Sequence, residues 1–172
     1  MKLIDIMKKR CSYRNTFTDK KVSLDEMRLI LEAGYTAPSG CNLQTCKFIG
    51  VLDSEKVKAI ADIYGHEWAN TAPACIVIVT QPLVKSGKGC SRYLEDFGAA
   101  AQNILLQIVE LGYATTWIQG QIEGDKAREI GKILNVDSEY TVIGYFPVGE
   151  PACELKYVKK QDFNERCFID SM

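Results

Sequence analysis

An α+β or three-layer α/β domain is what this sequence predicts, on three patterns. Residues 75–80 form a nearly unbroken apolar run, Cys-Ile-Val-Ile-Val-Thr, of the kind a central strand shows. Residues 94–111 carry a wide helical stripe through Phe97, Ala101, Ile104, Leu105 and Ile108, suited to burial on more than one side or to sharing with a second chain. Apolar runs at 48–52, 113–118 and 141–146 alternate with further helical patterns, so that four strands are separated by helices.

The elements follow from local signals. Residues 2–9 can form a short helix with Leu3, Ile6 and Met7 on one side, and Asn15, Thr16 and Thr18 then favour extended chain. Ser23-Leu24-Asp25-Glu26 is a capping box that opens a helix with Met27, Ile30, Leu31, Gly34 and Tyr35 on its buried face, closed by Pro38. Phe48 to Leu52 is expected as a buried strand, and Asp53 or Ser54 caps the next helix, which buries Val57, Ile60, Ala61 and Tyr64. A connection containing Trp68 leads to the central strand. Residues 81–90, with Pro82, Gly87 and Gly89, are expected as a mobile loop. Gly112 stops the long helix, residues 113–118 form a strand, Ala127, Ile130 and Leu134 mark another helix, and Pro147 and Gly149 close the last strand. The pattern fades beyond Pro151, where residues 151–172 form a charge-balanced extension of a single domain that packs on the core or on a partner subunit.

Composition narrows the function classes. A chain of 172 residues has room for one substantial core, and its formal net charge of -1 gives a nucleic-acid partner no global electrostatic support. No apolar run approaches the ~18 residues of a membrane span. The seven cysteines are odd in number and lack C-x-x-C spacing, and the one histidine, His66, has no ligand partners nearby, so no metal site is expected. Reduced thiols in a cytoplasmic protein are the expectation, with Cys75 as core packing. Neither G-x-G-x-x-G nor a phosphate-binding P-loop is present.

Three stretches carry chemistry. Arg10, Ser12 and Arg14 stand at i, i+2, i+4, so on extended backbone two guanidiniums flank a hydroxyl on one face, which suits a phosphate. The same residues also read as a solvated basic helix end. Residues 34–48, GYTAPSGCNLQTCKF, present Ser39, Asn42, Gln44 and Thr45 in a loop between helix and strand, which suits the polar edge of a heterocycle or an ordinary turn. The third stretch runs from Thr115 through Trp117 to Gly120.

In their order these stretches resemble the FMN-dependent nitroreductase family, in a short, single-domain form. The match rests on Arg10-Cys11-Ser12-Tyr13-Arg14, on Ala37-Pro38-Ser39-Gly40-Cys41-Asn42-Leu43-Gln44, and on Asp96-Phe97-Gly98-Ala99-Ala100-Ala101-Gln102-Asn103-Ile104-Leu105-Leu106 followed by Leu111-Gly112 and Trp117-Ile118. It extends from about residue 8 to residue 150. The resemblance implies a nitroreductase-like three-layer sandwich, with a central mixed, mainly antiparallel sheet flanked by helices, forming a homodimer with FMN sites at the interface. By the same resemblance Arg10, Ser12 and Arg14 hold the phosphate and ribityl region. Asn42 hydrogen-bonds the isoalloxazine, and Pro38, Ser39 and Gln44 line its pocket or the partner-facing edge. Thr116, Trp117, Gln119 and Gly120 pass beside the ring, with a backbone N–H of Gln119 or Gly120 near N5. A tail lysine, Lys156, Lys159 or Lys160, completes the phosphate site, although these three equally read as a solvated surface run; Lys156 and Lys160 are taken as site residues.

The implied reaction is hydride transfer from NADH or NADPH to flavin N5, then electron transfer to a nitroaromatic, quinone or similar small acceptor, by a ping-pong mechanism. No residue is assigned as general acid or base. Alternatives are another flavin reductase (a dehalogenase or enoyl reductase), a non-catalytic FMN-binding storage or redox-sensing protein, and a flavin-free structural dimer. The chain departs from the family pattern at Thr45-Cys46, where proline and an aromatic residue usually follow the glutamine, and it lacks the lid residues of the dehalogenating branch.

Overall fold

Capping chemistry sets two of the helix starts in the computed structural model, which describes residues 2–81 and 92–172. The expected loop at 81–90 lies, after Gln81, outside the described residues. Helix α1 is Leu3–Lys9 and α2 is Leu24–Tyr35. The α2 cap is reciprocal: the Glu26 N–H donates to Ser23 Oγ at 3.2 Å, and the Ser23 N–H donates to Glu26 Oε2 at 2.8 Å. Those bonds from Ser23 hold the Glu26 carboxyl below its ordinary range. Asp53 caps α3 (Ser54–Tyr64) by accepting from the Lys56 N–H at 2.9 Å. The long helix α4 is Tyr93–Glu110, and α5 is Asp125–Ile133.

Strands β1 (Cys46–Val51), β2 (Ala74–Thr80), β3 (Ala114–Thr115) and β4 (Thr141–Gly149) form one sheet in the order β1-β2-β4-β3. All the paired strands run antiparallel. The mainly antiparallel sheet expected from the resemblance is therefore antiparallel throughout among the described residues. Strand β2 is buried along its whole length, and its alternation feeds two cores. Ile76 and Ile78 pack with Met27 and Ile30 of α2 and with Ile104 and Ile108 of α4, while Val77 and Val79 pack with Ile60 of α3 and Ile130 of α5. Helices thus cover both faces of the sheet, giving the α+β three-layer sandwich.

Four local expectations need correction. Strand β1 is an edge strand of mixed exposure rather than a buried one, because it pairs only with β2. Tyr35 is 74% exposed, since α2 ends there and turns its last side chain off the packed stripe. Strand β4 continues through Pro147 to Gly149 instead of stopping at the proline. The predicted strand over 113–118 is reduced to Ala114–Thr115 plus an isolated bridge from Ile118 to Tyr145. One residue explains the last two. The register that pairs Ala114 with Gly149 and Thr115 with Val148 continues to the Ile118–Tyr145 bridge, so Thr116 stands opposite Pro147. Tyr145 and Ile118 exchange N–H···O bonds, which turns alternate β4 amides toward this third strand. Pro147 has no N–H to offer at that point, and the ladder opens.

Helix α4 lies against β4 at Gly144, where a Cβ would come within 2.6 Å of Phe97 and 2.9 Å of Phe146. Gly144→Ala forces those rings off their seats, and overpacking of this kind costs about 1–3 kcal/mol. Urea denaturation of the variant is expected to show a lower midpoint and an unfolding free energy reduced by that amount, and an unchanged midpoint would contradict the close contact.

Candidate functional site

The chain leaves α1 at Arg10 in extended conformation (φ -68°, ψ 123°). The Tyr13 N–H donates to the Thr115 carbonyl at 3.0 Å, tying this segment beside β3. Tyr13 is 3% exposed, and the residues on either side of it, Ser12 and Arg14, point the other way into solvent. Arg10, Ser12 and Arg14 line one cleft of about 890 Å³. Its opposite wall includes Gln102 and Leu105 of α4 together with Trp117, and Lys156 and Lys160 reach it from the tail. Lys159, between those two lysines, does not line it.

Electrostatically the cleft is one-sided. Among the described residues, the ion pairs engage Lys20, Arg28, Lys58, Arg92 and Arg128, and none of the cleft cations. Arg10, Arg14, Lys156 and Lys160, joined by Lys8 from the end of α1, therefore gather without a carboxylate, an arrangement that favours an anion with several oxygens. Cys11 lines the same cleft, but burial pushes its thiol up despite the neighbouring Arg10, so it stays protonated and is a poor nucleophile. Trp117 is fixed edge-on by Phe97, with ring centroids 5.1 Å apart at 81°, and also meets Phe146.

The other predicted residues stand elsewhere on the protomer. Pro38, Ser39 and Gln44 line a separate cavity of about 50 Å³ that includes Asp96. Asn42 is exposed in the short turn Gly40–Asn42. This loop hangs from the start of α4, whereas Gln102 and Leu105 sit roughly 9 and 14 Å further along the helix axis. That separation keeps the loop and the cationic cleft apart on a single chain. Thr116 is buried, and its hydroxyl, like that of Thr115, has no hydrogen-bond partner. Gln119 lines a third cavity, of about 270 Å³, with Tyr93 and Leu94, and Gly120 is exposed at the start of the turn Gly120–Ile122.

Several contributors were not named from sequence. Gln102 and Leu105 line the cleft although the first was only part of a quoted motif and the second was assigned to the core stripe. The signal available for Gln102 is a polar pair, Gln102-Asn103, between the apolar runs 97–101 and 104–106. Asp96 is 6% exposed and holds the 38–45 loop. Its Oδ1 accepts from the Gly40 N–H at 2.7 Å and its Oδ2 from the Thr45 hydroxyl at 2.8 Å. The loop needs holding, because Cys41, Asn42 and Gln44 have φ of 53°, 55° and 50°, a left-handed conformation disfavoured for residues with a side chain. His66 stacks near Tyr64, with centroids 4.5 Å apart, at the surface.

Comparison with known proteins agrees with this architecture. The nitroreductase family model matches residues 7–68 and 62–150. An Archaeoglobus fulgidus protein provisionally named an NADH dehydrogenase/NAD(P)H nitroreductase is 26% identical over 147 residues, covering 85% of this chain and 84% of its own. An NADPH-dependent oxidoreductase of Staphylococcus haemolyticus is 27% identical over 164 residues, 86% of this chain and 64% of its own. The solved structure of an FMN-dependent nitroreductase from Clostridium difficile R20291 superposes with a TM-score of 0.81 at 29% identity, over 98% of this chain and 99% of that one. The chain belongs to the nitroreductase family.

Removing the loop's anchor tests how it is held. Asp96→Ala leaves the Gly40 N–H and the Thr45 hydroxyl without their acceptor, a loss of about 1–3 kcal/mol. Amides of residues 40–45 are expected to exchange with deuterium faster in the variant, with those of β2 little affected. Equal protection of the loop in both proteins would contradict an anchoring role for Asp96.

Proposed function

We propose that this chain is an FMN-dependent NAD(P)H oxidoreductase of nitroreductase type, acting as a homodimer. The observation that carries this is the cleft itself, in which two guanidiniums, three ammoniums (Lys8, Lys156 and Lys160) and the Ser12 hydroxyl converge without a resident carboxylate beside a wall of Leu105 and Trp117. The donor set fits a phosphate monoester, and the apolar wall fits the body of a planar ring system. Arg10 and Arg14 supply forked donors to phosphate oxygens, Ser12 supplies a hydroxyl, and Lys156 and Lys160 add mobile charge from the tail. Bound FMN supplies the two-electron, hydride-accepting chemistry that no side chain of the cleft provides.

A second copy of the chain completes the site in this reading. The loop with Pro38, Ser39, Asn42 and Gln44 stands apart from its own cleft, and in this reading it serves the partner's. The tail carries apolar groups that a lone protomer leaves in water: Val158 is 86% exposed, Phe163 72% and Ile169 88%. Covering them with a partner removes that cost. The acceptor is a small nitroaromatic, quinone or similar compound, because an open site used in turn by nicotinamide and acceptor suits flat molecules. Such use gives ping-pong kinetics. The protein contributes orientation and cationic stabilisation rather than proton transfer.

The deciding experiment is an anaerobic stopped-flow absorbance titration of purified protein with FMN, then NADH or NADPH. Rapid bleaching of bound flavin is expected, and reoxidation by quinone or nitroaromatic follows. Flavin that binds and stays oxidised would point instead to a storage or sensing role, and a protein that ignores FMN would end the reading. Arg14→Ala is expected to weaken FMN binding about tenfold, as for loss of a charge-assisted bond of about 1.5 kcal/mol, without altering the preference between NADH and NADPH. Fluorescence titration checks the first part and initial rates the second.

A further inference from the structure

We propose that Tyr13 is the clasp that holds the two halves of the cationic cleft together, and that its hydroxyl thereby sets this chain's preference for phosphorylated over unphosphorylated flavin. The preference rests on the flavin reading above, whereas the clasp stands on geometry alone. Tyr13 lies between Ser12 and Arg14 but faces inward, where its ring meets Phe17 with centroids 5.2 Å apart. Its N–H fixes the 10–14 segment to Thr115. Its hydroxyl donates to the Thr16 carbonyl and accepts from the Cys153 N–H at 3.1 Å, a contact spanning 140 residues of sequence. One side chain therefore touches both the segment that bears Arg10 and Arg14 and the tail that bears Lys156 and Lys160.

The place of that bond in the tail gives it leverage. The tail is tied down by the Phe17–Pro151 bridge, by the Ala152 N–H to the Thr16 carbonyl at 3.1 Å, and then at Cys153, whose N–H reaches Tyr13 and whose Sγ lies 3.8 Å from Thr16 Oγ1. Among the described residues, no hydrogen bond joins the tail to the body of the chain beyond Cys153, and only Leu155 packs against the Tyr13–Phe17 cluster. Lys156 thus hangs within roughly 10 Å of chain from the clasp and Lys160 within roughly 23 Å. A tethered charge acts at an effective concentration set by its tether, and loss of the Tyr13 bond leaves Cys153 only its weak thiol contact to Thr16, which loosens the tether and dilutes both lysines at the cleft. Burial raises the Tyr13 hydroxyl above the ordinary tyrosine range, so it remains protonated at neutral pH and able to make both bonds.

Tyr13→Phe keeps the ring and removes the hydroxyl. In protein without ligand, hydrogen–deuterium exchange at residues 152–155 is expected to accelerate about tenfold, with β2 amides unchanged; unaltered exchange in the tail would overturn the clasp. Fluorescence titration is then expected to give an FMN Kd raised three- to tenfold, about 0.7–1.4 kcal/mol, and a riboflavin Kd within about twofold of the parent. Equal losses for both ligands, or none, would overturn the link to phosphate preference. Combining Tyr13→Phe with Lys156→Met/Lys160→Met distinguishes positioning from general destabilisation. Overlapping losses on FMN support action through the lysines, and full additivity refutes it. If the parent protein binds neither FMN nor riboflavin, the flavin reading and the preference fall together, and the exchange result alone decides the clasp.

Discussion

Helix α4 presses onto the sheet at Gly144, and most of the architecture follows from that approach. Phe97 occupies the space where a side chain at 144 would stand, and it then serves as the edge against which Trp117 rests. A helix this close to the sheet buries its small and aliphatic residues, Ala101, Ile104 and Ile108, against β2 and β4 on one flank and against α2 on the other. What remains uncovered is a third flank carrying Gln102 and one side of Leu105, which becomes a wall of the cationic cleft. The same helix begins with Asp96, which holds the strained 38–45 loop. Core packing and site construction are therefore properties of one element at different heights along its axis.

The site concentrates features that a stability argument alone disfavours. Cations without counter-ions line the cleft, and close to Trp117 in sequence stand the buried Thr115 and Thr116 hydroxyls without partners and the ladder broken opposite Pro147. Left-handed backbone at Cys41, Asn42 and Gln44 adds local strain in the loop. Much of the rest is locally consistent: α2 and α3 are capped by side chains, β2 alternates between two apolar cores, and surface charges pair along helices. The Tyr145 hydroxyl, buried in the opposite core, is likewise without a partner, and Asn135 is also left-handed, so such features are not confined to the cleft.

Much of this was legible in the sequence because period and capping chemistry are local. Ser23 with Glu26, Asp53, the 97–108 stripe and the run at 75–80 each gave their element without knowledge of any other. The break at Thr116 was not legible, because it depends on Pro147 lying opposite in the sheet, a pairing set by register. Pro147 read as a terminator for the same reason: nothing local says that its missing N–H falls on the side where the third strand is already short. For the site, the i, i+2, i+4 spacing of Arg10, Ser12 and Arg14 was sufficient to place three side chains on one face. The choice among Lys156, Lys159 and Lys160 was not open to sequence, since an irregular tail has no period. Asp96 escaped notice because its partners, Gly40 and Thr45, are more than fifty residues away.

Net charge is a poor guide to what such a protein binds, and the reason lies in how its charges are distributed. With Lys and Arg totalling 21 against 22 Asp and Glu, the chain has no long-range field to draw an anion in. The acidic residues are spent on caps and on helix-surface pairs, as at Glu26, Asp53, Asp62 and Asp125. The extended 10–14 segment has no helix start for a carboxylate to cap, and in the tail Asp162 caps the turn Phe163–Glu165 rather than pairing with a lysine, so the cleft cations stay unpaired among the described residues. Segregation of this kind yields a local anion site in a nearly neutral molecule. It also makes that site depend on backbone placement rather than on total charge, so the ties that bring segment and tail together matter as much as the charged groups they carry.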